Sequence, residues 1–142
     1  MIKVAVIMPA TIRDAGEFLA EVRALEAAGA EMIGLDAEGN EPSILMGAIA
    51  AVTERVRLRI RAPEPAATLQ QLSRGRLVVG EPEGETWVEI SMPADKTGWA
   101  AILGEHEAAG ATGVIVSWDP RLIDLLRNPE ADDRGDLLMS TG

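Results

Sequence analysis

The side chains best able to do chemistry in this 142-residue sequence are carboxylates, a single histidine, and scattered arginines and serines. Many fall where short apolar runs end: Asp36 and Glu38, Arg61, Glu81 and Glu83, Ser91, and Ser117 with Asp119. If those runs are parallel strands joined by helices, their C-terminal ends share one rim, where α/β folds bind ligands. Carboxylates gathered on that rim can work as a general acid/base pair or hold a hard cation such as Mg²⁺. Arg61 among them can clamp an anion. The competing reading is a solvated acidic rim with no reaction, because Asp and Glu are mostly exposed in any protein. Asp119, directly before Pro120, reads as a helix N-cap rather than a catalyst.

Composition removes other chemistries. There is no cysteine, which excludes disulfides, thiolate zinc sites and cysteine nucleophiles. The lone His106 cannot build a multi-histidine metal site within one chain, and no residue is assigned as a metal ligand. It falls in a helical stretch beside Trp99 and Leu103, which suits packing or surface exposure. Trp118, at a strand end, is the tryptophan best placed to stack on a flat ring, whereas Trp87 and Trp99 suit packing. Gly80-Glu81-Pro82-Glu83-Gly84 lacks the glycine spacing and the following helix of a phosphate loop. The formal net charge is −10 and the basic residues form no stripe, which argues against nucleic acid and anionic membrane as partners. No apolar run approaches the roughly 20 residues of a membrane span. Met1 to Pro9 reads as a buried strand rather than a signal peptide, so the expected compartment is the cytoplasm. Arg134-Gly135-Asp136 is read as coincidence.

These residues must be positioned by elements that alternate along the chain. Residues 2–8 are nearly all apolar, as in a strand covered on both faces. Asp14 with Glu17 has capping-box spacing, and Phe18, Val22 and Leu25 give the next helix one apolar face, stopped at Gly29. Strands are expected at 31–36, 56–60, 77–80, 87–92 and 113–118. Helices are expected from Pro42 to about Val52, over 66–72, over 96–109, and in a short final stretch with Leu122, Leu125 and Leu126. The alternating arginines of Val56-Arg57-Leu58-Arg59-Ile60 face something polar or mark an edge. Glu26-Ala27-Ala28-Gly29-Ala30 is echoed by Glu107-Ala108-Ala109-Gly110-Ala111, each closing a helix and opening a strand. The fold class is therefore α/β with parallel (β/α) units and right-handed crossovers. About six strands fit, whereas a full eight-unit barrel takes about 250 residues, so the expectation is an incomplete or reduced TIM-barrel-like sheet. Residues 1–129 form one domain and 130–142 a tail that docks on a neighbouring subunit or frays.

Two stretches carry a family resemblance. Pro42-Ser43-Ile44-Leu45-Met46-Gly47-Ala48-Ile49-Ala50-Ala51-Val52-Thr53-Glu54-Arg55-Val56-Arg57-Leu58 is one. Thr68-Leu69-Gln70-Gln71-Leu72-Ser73-Arg74-Gly75-Arg76-Leu77-Val78-Val79-Gly80 is the other. Together they resemble the bacterial-luciferase-like superfamily of FMN-dependent monooxygenases and F420-dependent enzymes. The likeness covers residues 1 to about 80, and residues 95–129 look like that family's closing units. The portion missing from this chain lies between the fourth strand and those units. Within the turn, Gly75 is expected to take a positive φ, and Arg76 to pair with acidic neighbours at the N-terminal face.

The resemblance implies a flavin- or F420-dependent oxidoreductase or monooxygenase, with FMN or F420 as cofactor and Asp36, Arg61 and Trp118 lining its site. Catalytic residues are not assigned and the substrate is unknown. The chain departs from the family pattern at Asp36-Ala37-Glu38, which lacks the histidine that follows the aspartate, and at Gly80-Glu81-Pro82, which replaces Gly-x-Gly. Acidic loops there repel a phosphorylated flavin. The alternative is thus a catalytically inactive binding or structural subunit with no cofactor. Either way a homo-oligomer is expected, because an incomplete sheet leaves edge strands unpaired; a full-length family relative is a second candidate partner.

Overall fold

The computed structural model describes residues 2–9, 14–36, 42–60 and 67–127. The elements run β1 (Lys3–Met8), α1 (Ala15–Ala28), β2 (Met32–Leu35), α2 (Pro42–Val52), β3 (Arg57–Ile60), α3 (Ala67–Leu72), β4 (Leu77–Val79), β5 (Trp87–Glu89), α4 (Lys96–Ala108), β6 (Gly113–Ser117) and α5 (Leu122–Arg127). The expected alternation is met. β5 is shorter than its apolar run, because past Ile90, whose amide still donates to the Ile115 carbonyl, the chain turns toward the Asp95 cap of α4.

The strands form one sheet in the order β4-β3-β2-β1-β6-β5, and every neighbouring pair is parallel. Strand addition proceeds outward from β1 to β4, then resumes at the far edge with β5 and returns through β6 to β1. A closed barrel also seats its last strand beside its first. The β6–β1 seam is kept here, and the sheet is open between β4 and β5. The result is a curled half-barrel of six parallel strands with helices between them.

Alternation along the strands sorts side chains between two faces. Val4, Val6, Met8, Ile33, Leu58, Val114 and Val116 face the helices, where they pack with Phe18, Val22, Leu25, Met46, Ile49, Trp99 and Leu122. Ala5, Met32, Trp87 and Ile115, flanked by Ile7 and Val78, form a second cluster on the concave face.

Three helix-to-strand joints share one construction. The amides of Ala30, Gly75 and Ala111 each donate back across five residues, to the carbonyls of Leu25, Gln70 and His106. The residue before each donor is left-handed: Gly29 (φ 108°), Arg74 (φ 55°) and Gly110 (φ 92°), and at the middle joint the donor Gly75 (φ 81°) is left-handed as well. The repeated Ala-Ala-Gly-Ala sequence is therefore a repeated geometry.

The open side is crossed by residues 80–86, which carry the chain from the C-terminal end of β4 to the N-terminal end of β5 without a helix. This strap turns at Glu85, whose amide donates to the Pro82 carbonyl, and is pinned at Thr86, whose carbonyl accepts from Thr112 and Gly113.

Candidate functional site

Because all strands are parallel, their C-terminal ends open on one mouth. A polar cavity of about 200 Å³ lies there, lined by Ile7, Asp36, Glu89, Ile90, Ile115 and Ser117. Strand parity selects these side chains. Leu35 and Val116 point to the helices, so Asp36 and Ser117, one residue on, turn to the concave side. Glu89 shares that face with Trp87. Arg59 also lies on the concave side of β3, where its Nε donates to the Gly80 carbonyl at 3.1 Å. Two carboxylates and a hydroxyl around a small cavity can accept hydrogen bonds from a small polar ligand.

Of the residues singled out in the sequence, Asp36 lines this cavity. Trp118 does not: it stands one residue past Ser117, on the opposite parity, and packs half-buried against the helix-side core. Its amide extends the β1–β6 ladder by donating to the Ile7 carbonyl. Arg61 and Glu38 lie outside the described residues. Glu81 is drawn into the strap, where its carboxylate accepts from the Trp87 amide at 3.1 Å. Asp119 caps the approach to α5, accepting from the Arg121 amide at 2.8 Å and from its guanidinium at 3.0 Å. Those hydrogen bonds, first the side-chain one from Arg121, hold its carboxyl below the ordinary range. Ser91 is exposed, and His106 is half-buried in the last turn of α4.

The opposite end of the concave face is closed by a cluster that the sequence did not reveal. Arg57 makes a bidentate pair with Glu85 (3.0 Å twice) and a third contact with Glu31 at 3.2 Å. Its guanidinium lies 6.0 Å from the centroid of the Trp87 ring, and the Trp87 indole N–H donates to Glu85 at 3.0 Å. The arginines of β3 thus do face something polar, inside the sheet. The available signal was Arg57 on a central strand, since a charge there requires a partner that the rest of the chain must bring.

A second unanticipated clamp holds the turn from α2 to β3. Glu26 accepts backbone N–H bonds from Glu54 (2.9 Å), Arg55 (2.6 Å) and Val56 (2.9 Å). From the other side Arg76 donates to the carbonyls of Ala50, Thr53, Val56 and Ser73 and to the Thr53 hydroxyl. Its expected carboxylate partners are replaced by carbonyls, because the C-terminus of α2 presents acceptors with no intrahelical donor.

Both clamps carry a pH dependence. Burial pushes Glu26 up, but three backbone N–H bonds outweigh it, and its pKa falls below the ordinary 4.5. Glu85 is lowered chiefly by the hydrogen bond from Arg57, against a smaller effect of burial. A carboxyl depressed in the folded state contributes stability above its unfolded pKa and loses it as pH falls through the folded value. Melting temperature is therefore expected to hold near neutrality and fall progressively below about pH 4.5. Melts of wild type and Glu26→Gln between pH 7 and pH 3 check this, with the variant less stable at neutrality and shallower in its acid slope. Equal slopes would remove Glu26 from the account.

Among the described residues no helix is long and apolar enough to cross a membrane, and no group of three or more His, Asp or Glu side chains is arranged to hold a metal ion. No protein-family model matches the chain, and no curated protein matches it.

Proposed function

We propose that this chain is a binding subunit on a luciferase-like half-barrel, taking a small polar ligand at the C-terminal mouth and holding no flavin by itself. The observation that carries this reading is the cavity between Asp36, Glu89 and Ser117. At about 200 Å³ it is smaller than the roughly 300 Å³ at which pockets for drug-sized ligands begin. Its two carboxylates disfavour the phosphate of FMN or F420, so the described residues do not fit either cofactor. A ligand bearing hydroxyl or ammonium donors suits the same groups. The cytoplasm is our proposed compartment, on the acidic charge and the short apolar runs.

The family resemblance favours the oxidoreductase reading, whereas the sheet opening between β4 and β5, where the resemblance puts the missing portion of a luciferase-like barrel, favours the subunit. A half-barrel that kept its seam and mouth could still bind FMN or F420, with Arg61 and Asp36 as the residues the resemblance implies, for a monooxygenase or related reaction. A titration with FMN and, separately, F420, followed by tryptophan quenching and visible absorbance, separates the two. We expect no saturable change up to millimolar cofactor. We also expect amide shifts at Glu89 and Ser117 with small polyols or alkylammonium ions in NMR spectra. Saturable flavin binding that weakens in Arg61→Ala would establish the oxidoreductase reading instead. Silence from both experiments would leave a structural subunit.

A further inference from the structure

On the helix side of the sheet, at the end opposite the mouth, a cavity of about 430 Å³ lies between α4, α5 and the start of β1. Its floor is Ile2 and Val4, which share the helix-side parity of Val6. Trp99 and Leu103 of α4 form one wall, and Leu125 and Leu126 of α5 the other. The hollow has two causes in the sequence. α5 has six residues against 13 in α4, so the two helices cannot pack along their full lengths. The face that α4 turns to the cavity also carries two small residues one turn apart, Ala100 and Gly104. A Cβ added at Gly104 would meet nothing within 4 Å.

Trp99 gives this apolar cavity a polar handle. At 1% exposure its side chain is otherwise part of the core. The Trp87 indole N–H donates to Glu85, whereas the Trp99 indole N–H has no hydrogen-bond partner. Yet among the described residues no fully buried side-chain N or O atom lacks a partner, so the Trp99 N–H is not sealed inside protein. It borders open space, and the cavity is open space that Trp99 lines. A largely buried indole N–H ordinarily meets an acceptor. Here the protein supplies none and leaves room for one.

We infer that this cavity is a second ligand site, taking an uncharged, mainly apolar small molecule whose acceptor oxygen receives the Trp99 indole N–H. Its volume falls within the roughly 300–1,000 Å³ of small-molecule pockets, and apolar walls with a few placed polar groups are their usual make-up. Two carboxylates in the lining, Glu31 and Glu107, disfavour an anion. Both already have partners, Arg57 at 3.2 Å in the case of Glu31, so neither calls for a cation. The site shares no residue with the mouth and does not rest on the reading of the mouth.

The probe is N,N-diethylbenzamide, an uncharged aromatic amide with an acceptor oxygen and no donor. It is titrated into the full chain to low-millimolar concentration and followed in NMR spectra. The expected result is a saturable shift of the Trp99 indole N–H with amide shifts along residues 100–107, while the Trp87 indole and the Glu89 and Ser117 amides stay in place. Trp99→Phe removes the donor and should weaken binding of the amide about tenfold, the effect of one hydrogen bond. Ethylbenzene, which has no acceptor, should bind both proteins alike. Gly104→Leu fills the cavity at a helix position where leucine is the better helix former, and should abolish binding without unfolding the chain. Should Trp99→Phe fail to fold, the wild-type indole shift and Gly104→Leu still decide the outcome. No saturable shift, shifts confined to other parts of the molecule, or full binding by Gly104→Leu would overturn the site. So would nuclear Overhauser contacts from the Trp99 indole to Leu137 or Leu138 without probe, which would make the cavity a seat for the chain's own tail.

Discussion

Gly113→Ala is expected to destabilise this protein by about 3 kcal/mol, a large fraction of the stability of an ordinary domain. Gly113 opens β6 opposite Lys3 of β1, and the Trp87 ring lies against its Cα. A Cβ there would fall 2.7 Å from the Lys3 carbonyl oxygen and closer still to the edge of the indole. The carbonyl belongs to the central ladder and cannot retreat without breaking it. The indole cannot retreat without uncovering Ala5, Met32 and Ile115, which it screens from the open side of the half-barrel. Urea denaturation followed by tryptophan fluorescence reads the loss. The double variant Gly113→Ala/Trp87→Leu identifies its cause: a smaller side chain should recover part of the stability lost at Gly113, so the two changes will be less than additive. An alanine variant as stable as wild type would mean that Trp87 does not pack on this glycine.

Arg76→Met should cost a comparable amount, about 3 kcal/mol, through unmade hydrogen bonds rather than overpacking. Methionine keeps much of the aliphatic stem and removes every donor. The carbonyls of Ala50, Thr53, Val56 and Ser73 would lose a partner together. The Thr53 hydroxyl, which itself donates to the Ile49 carbonyl at 2.7 Å, would lose its contact with the guanidinium. Arg76→Lys is expected to recover little, because one ammonium cannot reproduce a planar fork reaching acceptors on α2, its exit turn and the end of α3. Chemical denaturation measures the stability, and hydrogen exchange should show faster opening of residues 50–56 than elsewhere. A loss below about 0.5 kcal/mol, the range of ordinary surface substitutions, would show the clamp to be dispensable.

Much of the architecture was legible in the amino-acid order because its signals are local. The apolar run of β1, the Asp14 cap accepting from Glu17 at 2.9 Å, and the paired Ala-Ala-Gly-Ala joints act within a few residues of themselves. Parallel sheet and right-handed crossover follow from such units in series. The mouth was half legible. Asp36 lines the cavity there, but placing Trp118 required knowing the strand's parity to within one residue, and a shift of one position sends a side chain to the opposite face.

By itself, then, the sequence determined an α/β chain of about six parallel strands, its capped helices and glycine joints, and which chemistries its composition excludes. Tertiary structure alone decided where the sheet opens, that Glu85 crosses to Arg57 beneath the Trp87 ring, and that Arg76 meets carbonyls instead of carboxylates. The physical reason is the same in each case. Apart from the short-range bonds of Arg76 to Ser73 and Trp87 to Glu85, these contacts join residues 20 to 28 positions apart, and their energy exists only once the sheet has brought the partners together, so no local pattern of residue types records them.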